Sequence, residues 1–161
     1  MGKIEKVLWI CLGNTCRSPA AEYLARYHAK KHSLDLIFES AGFMNAFSYM
    51  QPESQQYLDS KNIDHGDFRP QTINKTLLER QDLILTMEQS HVEDIKRRYS
   101  DIPDIDKKLF TLLEFNGNVE DLDIIDPYYT SKSTYEKVLK IIDENVEKAL
   151  LKIKEINESD D

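Results

Sequence analysis

Cys11 and Arg17 bracket the five residues Leu12-Gly13-Asn14-Thr15-Cys16 and are followed directly by Ser18-Pro19. These residue types suit a sulfur nucleophile working on an oxyanion of phosphate size. Cysteine reacts as its thiolate, a form favoured by a neighbouring cation and by a helix N-terminus. Arginine offers a planar fork of donors that can hold two oxygens of a phosphoryl group, a geometry lysine lacks. Gly13 and Asn14 accept the tight backbone turns that let successive N–H groups converge on one anion. Ser18 is expected to cap the helix that follows, with Pro19 in its first turn. The hydroxyl of Ser18 or of Thr15 is also a candidate hydrogen-bond partner for the sulfur. Residues 11–18 therefore read as an anion cradle that carries its own nucleophile.

Such a cradle needs a strand to deliver the cysteine and a helix to receive the chain. Residues 4–10 form an apolar run fit for a buried strand, and residues 20–32 read as the helix after the loop. Further strands are expected at residues 36–40, 83–87 and 108–112. Further helices are expected at residues 53–61, 73–79, 90–99 with Ser90 as cap, and 134–156. In the last of these Val138, Ile141, Ile142, Val146, Leu150 and Ile153 make one apolar stripe. The alternation predicts a single-domain α/β fold, a four-stranded parallel sheet with helices on both faces. The phosphate-binding loop would follow strand 1, at the carboxyl edge where such sheets hold ligands. The domain spans residues 1–156, and residues 157–161 read as a polar C-terminal tail that frays.

The run Cys11-Leu12-Gly13-Asn14-Thr15-Cys16-Arg17-Ser18-Pro19 resembles the signature of the low-molecular-weight protein tyrosine phosphatases. Ser40-Ala41-Gly42, Asp82-Leu83-Ile84-Leu85-Thr86-Met87 and Asp126-Pro127-Tyr128 follow in the family's order. The resemblance covers about residues 4–153 and implies phosphotyrosine hydrolysis through a phosphocysteine, with no cofactor. It assigns Cys11 as nucleophile, Arg17 as phosphate clamp and Asp126 as general acid. Pro127 supports that last role by biasing Asp126 away from helical geometry. Leu12, Gly13, Asn14, Thr15, Cys16 and Ser18 would then bind phosphate. Tyr128 and Tyr129 would wall a slot for the phosphotyrosyl ring, with Asp121 and Asp123 as solvated loop charges. Relatives usually supply an aromatic to the pocket mouth from the loop after Ser-Ala-Gly. Here Phe47 and Tyr49 are the candidates, and Trp9 reads as strand packing. The family's partners would be phosphotyrosine proteins and a cognate tyrosine kinase, for which Tyr128 and Tyr129 are themselves possible targets.

Three rival readings remain beside this one. Threonine at position 15 resembles the protein-arginine phosphatases, whereas most tyrosine phosphatases of the family carry a bulky aliphatic residue there. A thiol-linked arsenate reductase shares the cradle but relays electrons through later cysteines, and none follows Cys16. A non-catalytic phosphate-binding module would have no use for Cys11 and Asp126 together. The second cysteine raises a redox possibility: Cys11 and Cys16 can bridge if the loop brings their Cα atoms within about 7 Å. A bridge would trap oxidised Cys11 before irreversible over-oxidation.

The chain has 161 residues with 21 Lys and Arg against 29 Asp and Glu, a net charge of −8. That sign excludes a general nucleic-acid binder and makes the cradle a local positive spot on an acidic body. With Glu5 and Lys6 interrupting its first apolar run, the chain shows no signal or membrane segment, and a cytoplasmic protein is expected. Two cysteines make no disulfide framework, and no His or Cys cluster completes a metal site. His28, His32, His65 and His91 read as surface or packing residues.

Overall fold

In the computed structural model, which describes residues 1–159, four parallel strands form one sheet in the order β2-β1-β3-β4. The strands are β1 (Lys6–Cys11), β2 (Ile37–Gly42), β3 (Leu83–Thr86) and β4 (Leu109–Thr111). Because β2 and β3 flank β1 on opposite sides, the chain reverses its winding direction at the end of β1. That reversal opens a crevice at the strand ends, and the loop after Cys11 lies there.

Central parallel strands are covered on both faces and so read as continuous apolar runs, as Val7-Leu8-Trp9-Ile10-Cys11 does. Val7, Trp9, Leu83 and Leu85 face α1 (Arg17–Lys31), α2 (Pro52–Ser60), α6 (Leu112–Phe115) and α7 (Lys132–Ser159). Leu8, Ile10 and Ile84 face α3 (Lys75–Glu79), α4 (Gln89–Arg98) and α5 (Ile105–Lys108). Helix α7 buries Tyr135, Val138, Leu139, Ile142, Val146, Leu150 and Ile153. Each large apolar side chain so buried is worth about 1.5–3 kcal/mol relative to exposure. Ile141, expected in that stripe, is 44% exposed, and Leu139 takes its place on the buried face.

Several element ends differ from expectation. Helix α1 begins at Arg17, so Cys16 is its N-cap and Ser18 lies inside the first turn, where its hydroxyl is free for other work. Helix α4 starts after Glu88, and Asp123 rather than Ser90 accepts from its first N–H, that of Gln89, at 2.7 Å. The short helices α5 and α6 flank β4, where four residues offered too little periodicity to read. Helix α7 continues to Ser159 and overruns the tail expected to fray. Asn157 ties it down by donating to the Ile4 carbonyl at 2.7 Å and accepting from the Ile4 N–H at 2.8 Å. The rest of that tail, residues 160–161, lies outside the described residues.

Candidate active site

The loop from Cys11 to Arg17 closes against the end of β2. A Cβ on Gly42 would come within 2.7 Å of the Asn14 nitrogen and 2.8 Å of the Leu12 oxygen, so only glycine allows this approach. The two preceding residues brace the same contact. Ser40 Oγ donates to buried Glu22 of α1 at 2.6 Å, and Ser18 Oγ lies 3.5 Å from the Ala41 carbonyl. Asn14 carries the turn, with φ at 52° in the left-handed region, a conformation asparagine tolerates better than most residues.

Asn14 and Ser18 sit behind the loop as its frame. Asn14 Oδ1 accepts from the Gln71 N–H at 2.9 Å, while Asn14 Nδ2 donates to Ser18 Oγ at 2.9 Å. Ser18 Oγ lies 3.0 Å from Cys11 Sγ. Ser18 Oγ accepts from Asn14, and its own hydrogen has two acceptors within reach, Cys11 Sγ at 3.0 Å and the more distant Ala41 carbonyl at 3.5 Å. On the open side, Cys11, Leu12, Gly13, Thr15, Cys16 and Arg17 line a cavity of about 350 Å³. Among the described residues, no protein acceptor takes a hydrogen bond from the backbone N–H of Gly13, Asn14, Thr15 or Cys16.

Arg17 is 1% exposed. Its Nη1 donates to the Ile124 carbonyl at 2.6 Å and meets Glu88 Oε2 at 2.8 Å. Its buried Nε has no partner. A buried charged donor left open is costly unless something fills it, and Arg17 lines the cavity together with Cys11. Glu88 and Ile124 were missed in the sequence. Glu88 had one legible signal, its position just past β3 at the sheet edge that also holds Cys11.

Asp126 stands at the cavity mouth, with Oδ2 3.8 Å from Arg17 Nη2 and a side chain 41% exposed. Its loop is anchored upstream by Asp123 on α4 and by the Ile124 N–H, which donates to the Met87 carbonyl at 2.8 Å. Asp123, expected to be a solvated charge, is thus a tether. The Tyr128 N–H donates to Asp126 Oδ1 at 3.1 Å. Phe47, Tyr128 and Tyr129 line the cavity, with ring centres 5.7 Å apart for Phe47 and Tyr128 and 4.1 Å for the two tyrosines. Tyr49 packs on Phe47 from outside, at 5.7 Å between centroids. Trp9 is fully buried in the core.

Cys16 faces the helices as well as the loop. Its Sγ lies 2.6 Å from the Tyr135 hydroxyl, which also meets Ser54 Oγ at 2.8 Å, and Ser54 donates to the Cys16 carbonyl at 3.0 Å. Burial pushes the Cys16 thiol up to about 12, against the lowering effect of the Tyr135 hydrogen bond. Both cysteines are free thiols. His65 pairs with Asp59 at 2.8 Å, and Gln71 braces Asn14. His91 is buried 3.7 Å from Glu88, and burial lowers its pKa despite that carboxylate's pull.

The sequence profile described as "Low molecular weight phosphotyrosine protein phosphatase" matches residues 6–160. The chain belongs to that family, whose members are phosphoric monoester hydrolases. Staphylococcus aureus PtpA, a low molecular weight protein-tyrosine-phosphatase, is 35% identical over 142 residues, 85% of this chain and 88% of the relative. The crystal structure of the low molecular weight protein tyrosine phosphatase from T. tengcongensis superposes with a TM-score of 0.82 at 31% identity, covering 92% of this chain and 99% of that one. The YwlE arginine phosphatase from Geobacillus stearothermophilus has a TM-score of 0.84 at 25% identity, covering 96% of each chain. Among the described residues no helix is long and apolar enough to cross a membrane.

Proposed function

We propose that the protein hydrolyses phosphotyrosine in protein substrates through a phosphocysteine intermediate. The observation that carries this reading is the set of unfilled loop N–H groups at the cavity that Cys11 and Arg17 line together. The phosphate's non-bridging oxygens bind there, and the same donors stabilise the charge that develops in the transition state. Cys11 Sγ attacks phosphorus in line, and the bond to the phenolic oxygen breaks as Asp126 gives that oxygen its proton. Water then attacks the phosphocysteine and loses a proton to the Asp126 carboxylate. The S–P bond breaks, and the Ser18 hydroxyl, 3.0 Å from the sulfur, stabilises the departing thiolate. Phe47, Tyr128 and Tyr129 hold the flat ring above this floor.

The supply of such substrates requires a protein tyrosine kinase. Two free thiols accord with the reducing cytoplasm. The test is turnover of p-nitrophenyl phosphate and phosphotyrosine peptides by the wild type and by Cys11→Ser. The variant should lose turnover yet still bind inorganic phosphate, and a variant that keeps the wild-type rate overturns the assignment.

One observation favours a second reading. Thr15 lines the cavity beside Cys11 and Arg17, and the YwlE arginine phosphatase shares the fold. Parallel hydrolysis of phosphotyrosine and phosphoarginine peptides separates the two. A clear excess of kcat/KM on phosphoarginine would replace the first reading with the second.

A further inference from the structure

We infer that a groove beside the catalytic cavity, ending at Arg69, is a subsite for an acidic residue flanking the phosphotyrosine of a protein substrate. The inference rests on the phosphotyrosine reading and deepens it. The groove has a volume of about 500 Å³ and is lined by Asn45, Ala46, Phe47, Ser48, Arg69 and Pro70. Asn45, Ala46 and Phe47 also line the catalytic cavity, so these three residues form the wall common to both. A peptide whose phosphotyrosine lies against one side of Phe47 has its neighbouring residues directed over this wall. Extended chain advances about 3.5 Å per residue, which puts a side chain two or three positions away within reach of the groove.

The wall is held in place. Ala46 packs so closely on the loop that a Cβ on Gly13 would lie 2.8 Å from its own Cβ. Arg69 is held by donating from Nη1 to the Phe68 carbonyl at 2.6 Å and to the Gly66 carbonyl at 3.5 Å. Among the described residues it makes no ion pair, and its Nε and Nη2 donate to no protein acceptor. The carboxylates of the neighbouring cavity over β2 already have donors: Glu22 has Ser40 and Arg26, Glu39 has Arg80, and Asp67 has Tyr23 and Arg26. Arg69 also borders that cavity, where Glu22 and Asp67 share Arg26 and Glu39 pairs with Arg80, and none of the three carboxylates forms an ion pair with it. On a body with net charge −8, an exposed and unpaired guanidinium beside the catalytic mouth selects for a carboxylate, and its planar fork suits two oxygens.

The experiment measures kcat/KM on phosphotyrosine peptides that carry Glu or Lys two and three positions before or after the phosphotyrosine. The wild type should prefer Glu over Lys about fivefold on one side, the size of a good exposed ion pair. Arg69→Glu should reverse that preference, Arg69→Lys should keep most of it, and neither variant should change kcat/KM on p-nitrophenyl phosphate. Equal rates on Glu and Lys peptides, or an unchanged preference in Arg69→Glu, overturn the subsite and leave the phosphatase reading standing. An enzyme inert toward p-nitrophenyl phosphate and all peptides overturns both.

Discussion

Glu88 Oε2 lies 2.8 Å from Arg17 Nη1, and with the Ile124 carbonyl at 2.6 Å it engages one amine of a guanidinium that is only 1% exposed. Glu88 thereby fixes the guanidinium of a residue that lines the cavity, without itself lining it. Glu88→Ala leaves that buried cation with one anchor fewer and without its nearer counter-charge, Asp126 being 3.8 Å away. It should lower stability by about 2–3 kcal/mol and kcat/KM by about 100-fold. Urea denaturation and steady-state kinetics check the two effects. Weakened inhibition by inorganic phosphate would show that the orientation of Arg17 is lost.

Asp126 is partly exposed and 3.8 Å from Arg17, free to approach a leaving oxygen at the mouth. Asp126→Ala should slow hydrolysis of phosphotyrosine peptides by about 10²–10⁴-fold, the range of general acid–base catalysis. The first step should be slowed less for aryl phosphates with good leaving groups, and a plot of log rate against leaving-group pKa should steepen. An unchanged rate on phosphotyrosine peptides would mean the acid lies elsewhere.

Oxidation of Cys11 by peroxide should be followed by attack of Cys16 on the sulfenic sulfur, with loss of water and formation of a disulfide. Because Cys16 is held protonated, with its thiol pushed up to about 12, closure should accelerate as the pH rises. Mass spectrometry should find the oxidised protein lighter by two hydrogens, and dithiothreitol should restore activity. Equal recovery in Cys16→Ser would exclude the bridge as the protective step.

The seam between α1 and α7 carries a pH dependence of its own. Burial alone would raise Asp143, yet hydrogen bonds from His28, Tyr57 and Lys61 outweigh it and pull the carboxyl down to about 2. An unfolded aspartate titrates near pH ~3.9. The carboxylate's contribution is therefore fully present above about pH 4 and is lost as the pH falls toward 2. Asp143→Asn should cost about 2 kcal/mol at pH 7 and should flatten the stability profile between those limits. Denaturant midpoints at pH 7 and pH 3 measure both.

The sequence alone determined the family and the address of the candidate site. Cys11, Gly13, Asn14 and Arg17 lie within one seven-residue stretch, so their order specifies a strand end, a turn and a helix start with no distant contact needed. The β1 run and the α7 stripe were legible because hydrophobic periodicity is a local signal. Only the tertiary structure decided what orients those groups, because each partner comes from another element. Glu88 and Ile124 hold Arg17, Gln71 braces Asn14, Tyr135 holds Cys16, and Phe47 supplies the wall. It also decided that Ser18 serves the sulfur instead of capping α1, and that Asn157 extends α7 by closing on Ile4. Such contacts span from 7 to 153 residues along the chain, and most depend on which faces the sheet brings together, a choice made by the whole core and written in no single segment.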